Sequence, residues 1–238
     1  MKLSRNKKPL YAQITNILKD RILHGVYSVG TNIPSEPLLE QEFQVSKITV
    51  RNAIKVLAQE GYVETGSGKG TKVIRNTSSS KLSKLKRFTE VLVEEGYRIG
   101  KQLLHAEVVS NEEESIALRL FGERCLRIER LYDLNNEPYI HFTHFLTSRV
   151  AGMELSDLSA QSLYGLLEEQ GVTIGKYRDE FSVSASAPPS ILKALGIGEG
   201  TPLLKRSRYA YDENGELVEY SEGFYHTERH RYVVNYDA

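Results

Sequence analysis

The stretch SKITVRNAIKVLAQEG, residues 46–61, has the clearest helical pattern in the sequence. Four apolar residues recur at helical spacing and predict an inward face, namely Val50, Ala53, Ile54 and Leu57. Ser46 is suited to cap the first turn, and Gly61 to end the last one. The stretch therefore predicts a helix that packs against a core by one side.

The opposite side of this helix is basic. Lys47, Arg51 and Lys55 are four residues apart, so they lie along one stripe. Such a helix can enter a DNA major groove, where residues near its N-terminus reach furthest and an arginine or lysine can pair with guanine. Ser46, Lys47, Thr49 and Arg51 are the candidates for these contacts, and Lys55 continues the stripe.

The neighbouring segments complete a winged helix-turn-helix. An apolar pattern from Leu10 to Ile22 predicts a first helix. The stretch PSEPLLEQEF, residues 34–43, predicts a second helix with Ser35 as its cap and Leu38, Leu39 and Phe43 facing inward. After the third helix, YVET and TKVIR predict two short strands joined by the glycine-rich residues 66–70. Helix, helix, turn, helix and hairpin is the order of that fold.

The glycine-rich stretch VETGSGKGTKV, residues 63–73, also raises the alternative of a nucleotide-binding loop. A P-loop requires a leading glycine, a Ser or Thr after the lysine, and a following helix. Here Val63 takes the first position, Gly70 follows Lys69, and a strand-like run comes next. The stretch therefore favours a wing that contacts DNA phosphates through Ser67, Gly68 and Lys69.

The charge distribution points to the same class of partner. Residues 1–87 hold 16 Lys and Arg against 6 Asp and Glu, a net of +10, whereas the remaining 151 residues hold 15 against 25, a net of −10. A basic first third predicts a module that binds a polyanion such as double-stranded DNA. The serine-rich, basic segment 76–87 is predicted to be a linker between residues 1–75 and a second domain, 88–238.

The second domain contains a weak internal repeat. Segments starting at Ser115 and Ser190 each predict a short helix, a glycine turn, a strand, an asparagine-centred turn and a second strand. The turns fall at Asn135–Asn136 and Asn214–Gly215. We expect an α+β fold whose antiparallel sheet is built from two similar halves.

Other features argue against export, a metal and an enzyme active site. The chain has no apolar run long enough to span a bilayer, which predicts a cytoplasmic protein without a membrane partner. The single Cys125 lies in an apolar run and predicts core packing. His141 and His144 are three apart in a strand-like run, so they should point to opposite faces, and we expect no metal, no cofactor and no catalytic residues.

Residues 9–75 resemble the DNA-binding domain of the GntR family of bacterial transcriptional regulators. The resemblance lies in PLYAQITNILKDRILHGVYSVGTNIPSE, VSKITVRNAIKVLAQEGYV and GKGTKV, in this order and spacing. It implies DNA contacts from Lys47, Thr49 and Arg51 and from the wing around Ser67 to Lys69. Where the family often has an arginine after PSE, this chain has Pro37, so one contact common in the family is absent.

Residues 83–238 resemble the effector-binding (UTRA) domain of the HutC subfamily, which shares the fold of chorismate lyase. The resemblance lies in LKRFTEVLVEEGYRIG, IERLYDLNNEPYI, QSLYGLLEEQGV, ALGIGEGTPLLKRSRYAYDENGELVEYSEGFY and ERHRYVV. It implies an effector site that includes Thr89, Arg130, Ser162 and Tyr164. A second arginine expected there is Tyr132, and a carboxylate that would hold sugar hydroxyls is Phe142, so a phosphorylated sugar is the first expectation and a more apolar or aromatic ligand the alternative.

Together these features predict a dimeric repressor of a metabolic operon whose binding to a two-fold operator changes when a small-molecule effector binds. Two other interpretations stay open at this point. One is a chorismate-lyase-like enzyme with a DNA-binding appendage, because fold does not fix function. The other is a constitutive DNA-binding protein whose second domain only dimerises.

Overall fold

The computed structural model describes residues 9–66, 68, 70–76, 88–150, 158 and 162–233. The chain divides between Ile99 and Gly100 into two compact units. The described residues up to Ile99 are mainly helical, and those from Gly100 to Val233 form a large sheet with short helices. Each unit has its own hydrophobic core.

The first unit begins with three helices, which are α1 (Leu10–Leu23), α2 (Glu36–Phe43) and α3 (Lys47–Gln59). The predicted inward face of α3 is buried in the core that it shares with α1 and α2. The prediction for Leu38 was wrong, since 57% of its side chain is exposed, whereas the next residue, Leu39, is fully buried. Leu38 therefore lies outside the face of α2 that Leu39 and Phe43 turn towards the core.

A two-stranded hairpin follows, made of β1 (Val63–Gly66) and β2 (Gly70–Val73). The outer edge of β2 is covered by the chain before α2, because the Ile33 amide donates to the Thr71 carbonyl at 2.9 Å. Gly70 has a φ of +83°, and a Cβ there would lie 3.0 Å from the Asn32 side chain. The turn residue therefore has to be a glycine for both backbone and packing reasons.

Helix α4 (Phe88–Glu94) belongs to the first unit by its contacts, although the sequence suggested that the second domain starts at residue 88. Its C-terminal end packs close to the end of α1, where a Cβ on Gly25 would lie 3.0 Å from the Tyr97 carbonyl. The Ile99 amide also donates to the His24 carbonyl at 3.1 Å. The described compact units therefore meet about one short helix later than the predicted boundary.

The second unit is a six-stranded antiparallel sheet with the strand order β3-β4-β5-β8-β7-β6. The strands are β3 (Ile99–Ser110), β4 (Arg124–Leu134), β5 (Glu137–Leu146), β6 (Ile174–Ser184), β7 (Leu203–Asp212) and β8 (Leu217–Tyr225). The helices are α5 (Ile116–Phe121), a 3₁₀ turn at Ser148–Val150, α6 (Leu163–Glu169) and α7 (Pro189–Leu195). The predicted α+β class is confirmed.

The two predicted repeats form the four inner strands of this sheet. One repeat is α5 with β4 and β5, and the other is α7 with β7 and β8. Strands β3 and β6 precede the repeats and add one edge strand to each half. Gly122 and Gly196 end the short helices with φ values of +75° and +66°, as the glycine turns predicted. Strands β5 and β8 pair with each other at the centre, so each half contributes one central strand.

The two faces of the sheet are covered differently. Helix α7 packs on the face that carries Leu131 and Phe224. Helix α6 packs on the other face, against Ile128 and Leu146. We call the α6 side the pocket face, because it also carries buried charged residues that a hydrophobic core does not require.

Candidate DNA-binding surface and effector site

Helix α3 presents its predicted contact residues to solvent. Ser46 is the N-cap and accepts a hydrogen bond from the Thr49 amide at 3.4 Å, while the two hydroxyls lie 2.9 Å apart. Lys47 and Lys55 are exposed. Since the cap stabilises the first turn, the backbone that carries the exposed side chains near the helix N-terminus is held in one conformation.

Arg51 has a carboxylate partner within the first unit. Its Nε donates to both carboxylate oxygens of Glu36 at 2.9 and 3.1 Å, yet 58% of the Arg51 side chain stays exposed. An exposed ion pair contributes at most about 1 kcal/mol to stability, so it can be given up when a stronger anion approaches. Glu36 therefore orients Arg51 without occupying the whole guanidinium.

The wing is formed, but two of its three predicted contact residues, Ser67 and Lys69, lie outside the described residues. Gly68 has a φ of +73° and no other atom within 4 Å of where a Cβ would lie, so the backbone there is open to an approaching strand. Lys72 on β2 is exposed and adds a positive charge beside the tip.

Four cross-strand partners on the pocket face define a row that runs over both halves of the sheet. Arg130 pairs with Phe142, Phe142 with Gly223, and Gly223 with Arg206. Directly opposite residues point to the same face of a sheet. The register thus brings two arginines that are 76 positions apart in the sequence onto one surface, with an aromatic ring between them.

Arg130 is almost completely buried, with 2% of its surface exposed. Its Nη2 donates to the Leu158 carbonyl at 2.8 Å, and its Nε has no hydrogen-bond partner among the residues that the structure describes. No carboxylate of the described residues lies within 4 Å of the guanidinium. Burying an arginine without a counter-charge is costly, so the site is suited to an anion supplied from outside.

A second polar cluster on the same face contains His144, Glu219 and Tyr164. The His144 Nδ1 lies 2.7 Å from one Glu219 oxygen, and the Tyr164 hydroxyl donates to the other at 2.7 Å. Burial raises the pKa of Glu219, but the hydrogen bonds from His144 and Tyr164 outweigh it and the pKa is lowered overall. Glu219 is therefore an ionised carboxylate in the interior.

His144 is neutral in this arrangement. Burial lowers its pKa more than the Glu219 carboxylate raises it. A neutral imidazole that donates from Nδ1 must accept at Nε2, and that atom is buried without a partner among the described side chains. The pocket face thus offers a hydrogen-bond acceptor for a ligand hydroxyl beside its buried arginines.

Two further arginines, on β7, lie on the pocket face. Arg208 makes a bidentate pair with Asp179 at 2.6 and 2.7 Å. Arg206, two residues earlier, is 8% exposed, and its guanidinium carbon lies 5.4 and 5.5 Å from the ring centroids of Phe142 and Tyr225. Arg206 and Arg208 thus share a face of the sheet, but only Arg208 is matched by a carboxylate within the described residues.

The predicted effector residues occupy this face in part. The Tyr132 ring packs edge-on against the Phe142 ring with centroids 5.3 Å apart, and Tyr164 is bound to Glu219. Ser162 is the N-cap residue of α6. Thr89 falls in α4, and its side chain lies outside the described part of the chain.

The sequence prediction did not include Arg206, Arg208, His144 and Glu219 among the candidate effector residues, although all four lie on the pocket face. A signal was present in LLKRSRYAY, since Arg206 and Arg208 alternate with Lys205 and Ser207 and must share a strand face. The sequence alone could not show that this face is the buried one. Nor could it place β7 in the same sheet row as Arg130.

The histidine and cysteine predictions can be compared directly with the structure. His141 and His144 are both buried and occupy alternate faces of β5 by their register. Cys125 is fully buried, and its thiol donates to the Asn111 side-chain oxygen at 3.0 Å. Within the described ranges no cluster of metal-ligating side chains is found. None of the described helices is long and apolar enough to cross a membrane.

Comparison with known protein families matches both units. Residues 10–73 match the gntR family of bacterial regulatory proteins, and residues 94–231 match the UTRA domain. The chain belongs to the GntR family, with the domain combination of the HutC subfamily. It is a DNA-binding transcriptional regulator whose DNA binding is modulated by an effector, and it is not an enzyme.

Similar proteins of known name extend over nearly the whole chain. The HTH-type transcriptional repressor NagR of Bacillus subtilis is 29% identical over 229 residues, which cover 94% of this chain and 93% of NagR. The "Probable fructoselysine utilization operon transcriptional repressor" of Escherichia coli is 30% identical over 218 residues, covering 90% of this chain and 89% of that protein.

Among solved structures, PhnF from Mycobacterium smegmatis superposes with a TM-score of 0.53 at 21% identity. The match covers 92% of this chain and 95% of PhnF. This likeness supports the fold of a winged helix-turn-helix followed by a six-stranded α+β domain.

Proposed function

We propose that this chain is a dimeric repressor of a metabolic operon and that its effector is a small anionic compound with hydroxyl groups, of which a phosphorylated sugar is the first choice. The observation that carries the effector class is the pocket face, where buried Arg130 lacks a carboxylate partner within the described residues and His144 offers a buried acceptor. A phosphate group matches the first feature, and a sugar hydroxyl the second.

The names of relatives support the metabolic role. One similar protein is named as a repressor of a fructoselysine utilization operon, and another, 22% identical, as the repressor of a mannosyl-D-glycerate transport and metabolism system. Both names concern sugar-derived compounds. We infer that this chain regulates an operon for compounds of this class in the cytoplasm, where the DNA is accessible.

For the DNA contacts we propose Ser46, Lys47, Thr49, Arg51 and Lys55 of α3 with Ser67, Gly68 and Lys69 of the wing. Exposure of Lys47 and Lys55 and the partial exposure of Arg51 support this set. We keep residues 1–75, 76–87 and 88–238 as the proposed DNA-binding domain, linker and effector domain, although α4 packs with the first unit.

The proposed dimer is supported by the edge strand β6. Val183 is 78% exposed and the neighbouring Phe181 is about half exposed, on a strand that has only one partner strand in the described sheet. Exposed apolar side chains on an open edge favour pairing with a second copy. Val183→Lys should shift the protein from dimer to monomer in analytical ultracentrifugation, whereas Val108→Lys, on the opposite edge strand, should leave the mass unchanged.

The central experiment combines a gel shift with a thermal-shift screen. The chain should bind a duplex from its own promoter region more tightly than random duplex at moderate salt, and a phosphorylated sugar should raise its melting temperature and change this binding. Binding no tighter than to random duplex would overturn the repressor. Stabilisation by uncharged or aromatic metabolites alone would favour the apolar ligand, and none by any metabolite would favour a domain that only dimerises.

A further inference from the structure

We propose that Arg206 is the second arginine of the effector site and that it binds, together with Arg130, a phosphate-type anion of the effector from the opposite half of the sheet. This inference rests on the proposed function, since it assumes that the pocket face binds the effector. It adds a binding residue from β7 and explains how the site can function with Tyr132 where a second arginine was expected on β4.

Arg206 is buried without a matching charge among the described residues. Arg206 is 8% exposed, its Nε is buried without a partner among the described residues, and its closest polar contact there is the Tyr232 hydroxyl at 3.5 Å. Arg208, two residues further on the same strand face, has a bidentate carboxylate. A buried guanidinium is stable only when its donors are satisfied, so Arg206 is poised for a ligand.

Within the described residues, Arg206 is held in place by aromatic rings rather than by a carboxylate. The rings of Phe142 and Tyr225 both lie within about 5.5 Å of its guanidinium carbon. Such contacts favour a desolvated cation and leave its in-plane N–H donors available. Arg206 can therefore keep one orientation before the effector arrives.

Gly223 makes this arrangement possible. A Cβ on Gly223 would lie 2.5 Å from Cε1 of the Phe142 ring and 3.0 Å from the Tyr225 ring. Only glycine lets the Phe142 ring extend across β8 towards Arg206. Glycine at this position thus allows a row of cross-strand partners with an arginine at each end and the Phe142 ring between them, namely Arg130, Phe142, Gly223 and Arg206.

The charges on the pocket face do not balance among the described residues. The described ionised groups there are three arginines, Arg130, Arg206 and Arg208, against two carboxylates, Asp179 and Glu219, since His144 is neutral. Among the described residues of this face, one positive charge is therefore in excess. A phosphate ester, with a charge between about −1 and −2 at neutral pH, would remove that excess.

The test is a thermal-shift titration of the full chain with inorganic phosphate, glucose 6-phosphate and glucose. Phosphate and glucose 6-phosphate should raise the melting temperature of the wild type, and Arg206→Met should abolish that rise. Arg206→Met should leave the melting temperature without ligand unchanged or higher, because it removes an unmatched buried charge. Arg206→Lys, which keeps the charge, should recover part of the rise.

Two controls separate the inference from simpler explanations. Arg208→Met should lower the ligand-free melting temperature, because it leaves Asp179 without its partner, and Lys47→Ala should keep the full phosphate effect, which excludes binding at the DNA-binding surface. Equal stabilisation of wild type and Arg206→Met would overturn the role of Arg206 and leave the proposed anionic effector standing. If neither phosphate nor any sugar phosphate stabilises the wild type, both fail.

A second, independent inference concerns DNA sequence readout. We infer that Ile48 contacts the methyl group of a thymine in each half-site. Ile48 lies in the first turn of α3 between Lys47 and Thr49, and 71% of its side chain is exposed, although isoleucine is among the residue types most often buried. An apolar side chain at this position of a recognition helix can bind the only apolar group of the major groove, the thymine methyl.

This inference is tested with a duplex selected by the wild-type protein from a random pool. Replacing single thymines by uracil removes only the methyl group, and at one position per half-site it should weaken wild-type binding about fourfold, the worth of one buried methyl. Ile48→Ala should bind the thymine and uracil duplexes equally. If uracil weakens both proteins by the same factor at every position, Ile48 does not read a methyl group.

Discussion

We propose that both units of this chain bind anions, but their basic side chains differ in exposure to solvent. In the first unit the basic side chains of α3 are exposed, and Arg51 pairs with the carboxylate of Glu36 while most of its side chain stays in contact with solvent. In the second unit Arg130 and Arg206 are buried and unmatched by carboxylates of the described residues. Exposed charges suit a polyanion that arrives from a distance, whereas buried charges suit one small anion of defined geometry.

The difference has an energetic reason. Charges on the surface are screened by salt, so they supply affinity and steering for DNA at little cost to folding. Buried cations have already lost their hydration, so an anion that fits between them forms strong hydrogen bonds. Until the anion binds, the desolvation of these cations lowers the stability of the domain. An effector that relieves this cost can change the stability of the domain by several kcal/mol, enough to favour one conformation.

The largest expected effect would come from breaking the buried network at Glu219. Glu219→Leu removes the acceptor of both His144 and Tyr164, so two buried donors lose their partner. We expect the free energy of unfolding of the ligand-free protein to fall by about 3 to 5 kcal/mol. Urea unfolding followed by tyrosine fluorescence measures it, because the chain contains no tryptophan.

Glu219→Gln is the matched control, since it keeps an oxygen acceptor and the volume but not the charge. It should lose clearly less stability than the leucine variant. Equal stability of Glu219→Leu and the wild type would mean that this cluster is replaceable core and would remove the contrast between the two units.

A smaller effect is expected at the DNA surface. Arg51→Ala should weaken binding to the selected duplex by about 1 to 3 kcal/mol if Arg51 reads a base, with little change in stability because the ion pair is exposed. Fluorescence anisotropy at fixed salt measures the affinity. Glu36→Gln breaks the same pair from the other side, so it should retain or improve DNA binding. An equal loss of DNA affinity in both variants would show that the ion pair supports the structure of the surface and that Arg51 does not contact a base.

The pH dependence of stability should separate the units further. Burial lowers the pKa of His144, so the unfolded chain binds its proton near pH 6.5 while the folded chain does not. Stability should therefore fall as the pH drops below 6.5, by up to about 1.4 kcal/mol per pH unit for this group. The pKa values of Glu219 and Asp179 are also lowered, from 4.5 and 3.8, so they contribute only at more acidic pH.

His144→Asn is the variant that tests this assignment. Asparagine can still donate to Glu219 but cannot titrate. The melting temperature of His144→Asn should therefore depend less on pH between pH 5 and 7 than that of the wild type. His141, buried on the other face with its pKa lowered by burial, should account for the remaining slope. An unchanged pH profile would show that His144 is not the group responsible.

The first unit was easier to predict from the sequence than the candidate site, because the contacts that define it join residues close together in the sequence. The winged fold was predictable because its signals are local, such as the Ser46 cap, the α3 apolar face and the glycines of the wing. The halves of the sheet were also predictable from their turns. The candidate site was not, because Arg130 and Arg206 come onto one face of one sheet only through the pairing of β5 with β8, which no local pattern encodes. Leu38 shows the limit even for a helix, since the sequence placed it on the inward stripe with Leu39 and Phe43, and only the last two are buried.

The smallest expected effect concerns the wing, where a single charge acts without reading sequence. Lys72 is exposed on β2 beside the glycine turn, so Lys72→Ala should remove one phosphate contact. The slope of log affinity against log salt should become less steep by about 0.9, and selected and random duplexes should be weakened by the same factor. Anisotropy titrations at several salt concentrations measure both quantities. Lys193→Ala, at an exposed lysine of α7, should change neither. A loss confined to the selected duplex would instead make Lys72 a sequence reader, and the exposed cations of the first unit would then be as specific as the buried ones of the second.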